Sequence, residues 1–218
     1  MPVAAHRRRL HRRDTHTTHP GDPLSTDAVR RDQNESAPAK ILAAAARRVR
    51  DAGLVRLSMQ DVATEAGVSK ALIHYHFRDR DALLARLIEW LTERVLSRER
   101  TAMHDCPPPE AIDALWRWID RELELRELRV LLELMHDPAP GAVLAARRSA
   151  RLRHAQAEAT TAHLFKLLQL KPRVPTELMS GVVVAMLDGL ALEAALNPDR
   201  ESRISFDVFW LALLSLAE

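Results

Sequence analysis

The stretch whose reading decides the fold is "LSMQDVATEAGVSKALIHYHFRDRDALL", Leu57 to Leu84. Ser58 is a natural helix N-cap, with Asp61 three residues on as an approximate capping-box partner, and Met59, Val62, Ala63 and Ala66 recur on one side of a short helix. Gly67 stops that helix, and Ser69 caps the next one, which runs through Phe77. Two short helices joined by about three residues containing a glycine form a helix-turn-helix.

The second of these helices divides cleanly around a wheel of about 100° per residue. Ile73 and Phe77 fall together with Ser69 on the side that packs. Ala71 and Tyr75 fall opposite, flanked by Leu72 and His74, with Lys70 near the start. Such an outward face suits the DNA major groove, where Lys donates to guanine, His bonds base edges or phosphate, and small or apolar groups meet the thymine methyl. His74 and His76 are two apart on a helix, about 200° around it, so they cannot chelate one metal ion together.

Working outward, Pro38 opens a helix in which Ile41, Leu42, Ala45 and Val49 keep the helical period until Gly53. After Phe77, a fourth helix starts near Arg80 and runs to about His104, with Leu83, Leu84, Leu87, Ile88 and Leu91 as its apolar stripe. The prolines of "CPPPE", Pro107 to Pro109, then force a corner. Further helices are expected at roughly 110–124, 126–136, 141–170, 175–196 and 203–217, punctuated by "DPAPG", "KPRVP" and "NPD". With six glycines among 218 residues and no alternating Val/Ile/Thr runs, the chain reads as all-α.

Composition narrows the function classes. The single Cys106 can form no intrachain disulfide, and no stretch has the charged start and apolar core of a secretory signal, so a cytoplasmic setting is expected. The most apolar stretch, Leu178 to Leu196, contains Asp188 and Glu193, so no transmembrane helix and no membrane partner are expected. The net charge of +2 is unevenly spread. Residues 1–37 carry seven cations against five anions, 38–95 ten against seven, and 96–218 fifteen against eighteen. The cationic first half points to a polyanionic partner.

Residues 1–37 lack a helical period and read as a disordered basic tail. There Arg7, Arg8, Arg9, Arg12 and Arg13 offer contacts to phosphates, and His6, His11, His16 and His19 a weaker chance of metal. A P-loop, a dinucleotide fingerprint and HExxH are absent, and no nucleophile, base and orienter stand together. His136 beside Asp137, and the lone His154 and His163, read as structural or surface groups. No enzyme activity, no cofactor and no metal site is expected.

The segment from Leu57 to Leu84 resembles the DNA-binding signature of the TetR family of bacterial transcription regulators, and the resemblance extends over about 55 residues, from Ala39 to Trp90. It implies an N-terminal three-helix DNA-binding domain at 38–84 and a helical effector-binding and dimerisation domain at 85–218. It further implies that Ser58 and Gln60 contact the phosphate backbone or an adjacent base. Lys70, Ala71, Leu72 and His74 would face the groove, with the cap Ser69 also counted among the DNA-binding residues, Tyr75 and His76 would take the phosphate-contact positions, and Arg80 would contact phosphate from the start of helix four. Ala71 stands where the family commonly has Gly, Leu72 where Thr is frequent and His74 where Tyr is usual, so the operator cannot be borrowed from relatives.

For the C-terminal half the resemblance implies a homodimer built through the helices near 176–196 and 203–217, reading a pseudo-palindromic double-stranded operator as a repressor. A small, largely apolar effector would release it. Trp116, Trp118, Leu131, Met135, His136, Leu164 and Met186 are candidates to line the effector pocket, with ordinary core packing as the competing reading. Arg147, Arg148, Arg151 and Arg153 read as a solvated helix face that could also hold an anion. The alternative function is a ligand-independent regulator or activator whose C-terminal helices serve only dimerisation.

Overall fold

The computed structural model describes residues 36–218, which pack as one compact unit. The tail with Arg7, Arg8, Arg9, Arg12, Arg13, His6, His11, His16 and His19 lies outside the described residues. Nine α-helices and two single-turn 3₁₀ helices make up the described residues, with no β-strand among them.

Helix α1 spans Ala37–Ala52, with Pro38 in its first turn and Gly53 at φ 79° ending it. A 3₁₀ turn, Leu54–Arg56, leads to α2, Met59–Ala66, and α3, Lys70–His76. Helix α4, Arg80–Met103, runs unbroken through the expected boundary at 84/85. After the proline corner come α5, Ala111–Leu125; α6, Glu127–Leu134; α7, Pro140–Leu167; α8, Thr176–Leu196; and α9, Ser202–Leu214.

Three helices end earlier than periodicity alone indicates. Helix α6 stops at Leu134 rather than 136, where His136 and Asp137 close tight turns onto Glu133 and Leu134. Helix α7 stops at Leu167 rather than 170, because Gln169 takes φ 58° and Leu170 N–H turns back to the Phe165 carbonyl. Helix α9 stops at Leu214 rather than 217. The last residues are taken by backbone bonds between Lys171 and Glu218 and from Arg173 N–H to the Leu216 carbonyl.

Two hydrophobic clusters hold the unit together. The first joins α1, α2 and α3 to the first half of α4 and to α6, through Ile41, Val49, Val62, Ile73, Leu87 and Leu131. The second lies among α5, α7, α8 and α9, around Leu115, Leu164, Val183 and Phe206. Helix α4 spans both, contributing Leu83 to Leu91 to one and Val95 and Met103 to the other.

Helix α8 is long and apolar enough to cross a membrane by length and composition. Here Met179, Val183, Val184 and Leu190 are buried, and Asp188 pairs with Arg153 of α7. That pair corrects the reading of four arginines on one solvated face. Arg147, Arg148 and Arg151 are exposed, but Arg153 is buried. Six residues from Arg147 on a helix is about 240° around it, which carries Arg153 to the packed side.

Candidate nucleic-acid interface

Each junction of the helix-turn-helix is fixed by a local hydrogen bond that its sequence supplies. Ser58 Oγ accepts from Asp61 N–H at 3.1 Å and donates to the Asp61 carboxylate at 2.6 Å, which caps α2. At the other end Gly67 adopts φ 64°, ψ 33°. Val68 N–H then reaches the Ala63 carbonyl and Gly67 N–H the Thr64 carbonyl, the paired bonds of a Schellman stop. Ser69 Oγ accepts from Leu72 N–H at 3.1 Å and starts α3. Asp79, which the sequence reading passed over, caps α4 through Ala82 N–H at 2.8 Å. That bond, reinforced by Arg78, holds the Asp79 carboxyl below its ordinary range.

Packing then orients α3. Ile73 and Phe77 are buried in the first cluster, and Val68 packs against it. Lys70, Ala71, His74 and Tyr75 are exposed, Tyr75 to 81%, as are Ser58, Gln60 and Ser69. Leu72 and His76 are half-buried. The structure therefore brings the expected α2 and α3 residues onto exposed or partly exposed positions around one turn.

The chemistry of that face is sharper than sequence allowed. His74 Nδ1 lies 3.1 Å from the Arg78 carbonyl oxygen, which can only accept, so Nδ1 carries the proton. In the neutral ring Nε2 is then an acceptor, suited to an exocyclic amino group on a base edge. The Tyr75 and His76 rings meet edge to face at 5.0 Å. Two cations were missed by the sequence reading: Arg56, exposed in the 3₁₀ turn before α2, and Arg78, exposed after α3. Their signal was a basic residue in each loop flanking the motif.

Arg80 sits differently from the rest. Its Nη1 is 3.1 Å from the Asp137 carboxylate, and its Nε donates to the Leu57 carbonyl at 3.4 Å. Its neighbour Asp81 accepts from Gly141 and Ala142 N–H, both at 3.0 Å, and so caps α7 from another helix. A Cβ at Gly141 would lie 2.8 Å from an Asp81 oxygen, so a side chain there would have to displace the carboxylate that caps α7. On the other side of the head, Glu133 accepts from Leu54 N–H at 2.6 Å, and Arg129 donates to the Arg50 carbonyl at 3.3 Å. Helix α6 and the loop after it thus hold both ends of the reading unit.

The seven candidate effector residues do not line one cavity. Leu131 is buried in the first cluster with Met135 against it, whereas Trp118 and Leu164 are buried in the second with Trp116 and Met186 against it. The Trp116 ring lies tilted against Phe206, 5.1 Å between centroids. His136 is exposed and borders a cavity of about 460 Å³ with Arg129, Leu132, Glu133, Asp188, Gly189 and Leu192. Among the described residues no group of three His, Cys, Asp or Glu side chains comes together as a metal site would require.

Comparison with known proteins agrees with this geometry. Residues 41–87 match the family model described as bacterial regulatory proteins, tetR family. No curated protein matches the chain in sequence. Solved structures of similar fold include a transcriptional regulator from Rhodococcus sp. Rha1 at 21% identity and TM-score 0.67, covering 84% of this chain and 98% of that one. A TetR transcription regulator from Haloarcula marismortui is similar at 22% identity and TM-score 0.67, with the same coverage. The SmeT–triclosan complex is similar at 18% identity and TM-score 0.62, covering 82% of this chain and 91% of that one. The match to the tetR family of bacterial regulatory proteins is thus confined to residues 41–87, and the described residues share the all-helical fold of the solved regulators.

Proposed function

We propose that this protein is a TetR-like, sequence-specific DNA-binding repressor that acts as a homodimer in the cytoplasm and is released by a small molecule. The observation that carries the reading is the outward face of α3. Lys70, Ala71, His74 and Tyr75 are exposed on a helix whose opposite side, Ile73 and the following Phe77, is locked in the core. None of those four side chains packs in the core, His74 keeps Nε2 free of the bond that Nδ1 makes to the Arg78 carbonyl, and their chemistry matches base edges and phosphates.

The dimer reading rests on a second observation. Helix α8 exposes Leu178, Val182, Ala185, Gly189, Leu192 and Leu196 at helical spacing, and α9 exposes Ile204, Val208 and Leu211. Two such stripes on neighbouring helices form the kind of contiguous apolar face that a second copy covers. A two-fold axis through it would set two α3 helices to read half-sites about 34 Å apart. Ligand release is supported by the fold shared with SmeT, which is known bound to triclosan.

A gel-shift with the DNA beside the protein's own gene tests the proposal. Retardation at moderate salt is expected, weakened for all sequences alike by Arg78→Ala and with loss of sequence preference by Lys70→Ala. No retardation of any such fragment would remove the DNA-binding reading.

A further inference from the structure

The groove between α4 and α5 is a second place where side chains converge without a task. It is an open groove of about 380 Å³, lined by Ser97, Arg98, Thr101 and Ala102 of α4 and by Ala114, Arg117, Trp118 and Arg121 of α5. Ala102 and Ala114 bring only methyl groups to its lining, one from each helix, which leaves room where longer side chains would fill the space. Among its lining side chains every charged one is an arginine.

Those three arginines are not equivalent. Arg98 is held by Glu122 and Glu127, both charge-assisted and mostly buried, so it is a fixed wall whose charge is already matched. Arg117 and Arg121, one turn apart on α5, have only exposed partners, Glu110 at 3.7 Å and Glu124 at 2.9 Å. Exposed pairs of this kind hold little free energy, so an incoming anion can replace them. The Ser97 hydroxyl on the facing turn of α4 adds a donor. Trp118 closes the floor with an apolar ring, and its indole N–H is buried without an acceptor.

We infer that this groove binds an amphiphilic organic anion, its carboxylate between Arg117 and Arg121 and its flat apolar body on Ala102, Ala114 and Trp118. The apolar floor favours such a molecule over a bare inorganic ion, and the cationic rim favours it over a neutral one. The inference rests on reading the helices after α3 as a ligand-responsive body. Helix α4 carries this groove near its C-terminal end and the Arg80 and Asp81 contacts at its start.

The probe is 1-naphthoate, titrated calorimetrically into the full chain without DNA and compared with 1-naphthalenemethanol, its neutral counterpart. Saturable one-to-one binding of the carboxylate is expected, at least tenfold tighter than the alcohol. The double variant Arg117→Gln, Arg121→Gln should lose at least tenfold for the carboxylate and leave the alcohol unchanged. Both positions are exposed, and circular dichroism of the variant checks that it folds. A tenfold excess of inorganic phosphate should leave naphthoate binding intact. Equal affinity for acid and alcohol, an unaffected double variant, or displacement by phosphate would each overturn the assignment. Because DNA is absent, loss of the site is distinguishable from loss of the repressor reading, which the gel-shift alone decides.

Discussion

Ile73 and Tyr75 stand two residues apart on a seven-residue helix, and the fold assigns them opposite duties. Ile73 is 0% exposed in the cluster joining α1, α2, α3 and α4, whereas Tyr75 is 81% exposed. Truncating a buried isoleucine to alanine removes its transfer free energy and leaves a cavity, together about 3 kcal/mol. At roughly 2–4 °C per kcal/mol for a chain of this size, Ile73→Ala should lower the melting midpoint by about 6–12 °C. Tyr75→Ala removes a side chain already in water and should stay within about 0.5 kcal/mol of wild type. DNA affinity should behave in the reverse manner for Tyr75→Ala, falling about five- to tenfold, equivalent to roughly 1 kcal/mol or slightly more. Thermal melts by far-UV circular dichroism and fluorescence anisotropy on the upstream DNA measure the two quantities separately. If Tyr75→Ala melts as early as Ile73→Ala, or if Ile73→Ala melts with wild type, α3 is rotated from the orientation described and its reading face must be redrawn.

Glu99, buried on α4 with Thr160 donating to it at 2.7 Å, is pushed up to about 7, chiefly by burial and against the pull of Thr160, Arg100 and Arg153. Folding therefore binds a proton that the unfolded chain, with an ordinary glutamate, has released. Stability should fall as pH rises from about 4.5 to 7 by at most about 3 kcal/mol and level off above that. Glu99→Gln should flatten this fall in urea melts run across that range, and an unchanged pH profile would refute the assignment. Arg153 and Asp188 make the second expected outcome, since Asp188→Ala leaves a buried guanidinium unpaired and should cost about 3–5 kcal/mol. The double change Arg153→Met, Asp188→Leu should recover most of it in the same urea melts, and equal loss in both variants would show that the pair is not what matters there.

Much of the fold was legible because its signals are local. Ser58, Gly67 and Ser69 each specify a cap or a stop within three or four residues, and the structure forms a cap or a stop at each of them. The late helix ends were not legible, because apolar periodicity continues past Leu167 and Leu214. What stops α7 is the left-handed turn at Gln169, and what stops α9 is pairing of its following residues with residues 171–173, far earlier in the chain. The buried Arg153 illustrates a different shortfall. Four arginines close together in sequence look like one patch, but only their angular positions decide which meets solvent, and only a partner on another helix shows why one can be buried.

The same distinction separates the legible part of the candidate interface from the rest. Which side of α3 faces outward follows from seven consecutive residues. Arg80 is another matter, since sequence places it on the DNA side of the motif while the fold sets it between the head and the body. Its partner Asp137 is 57 residues away, Asp81 reaches 60 and 61 residues to Gly141 and Ala142, and Leu54 finds Glu133 at 79. No local pattern can encode such pairs. Yet they tie the head to the rest of the fold, because Arg50, Leu54, Arg80 and Asp81 each hold a partner in α6, the loop after it or the start of α7. A salt bridge at Arg80 and a phosphate contact at Arg80 are therefore competing uses of one guanidinium. With its side chain 39% exposed and Asp137 nearly buried, the resting arrangement favours the bridge.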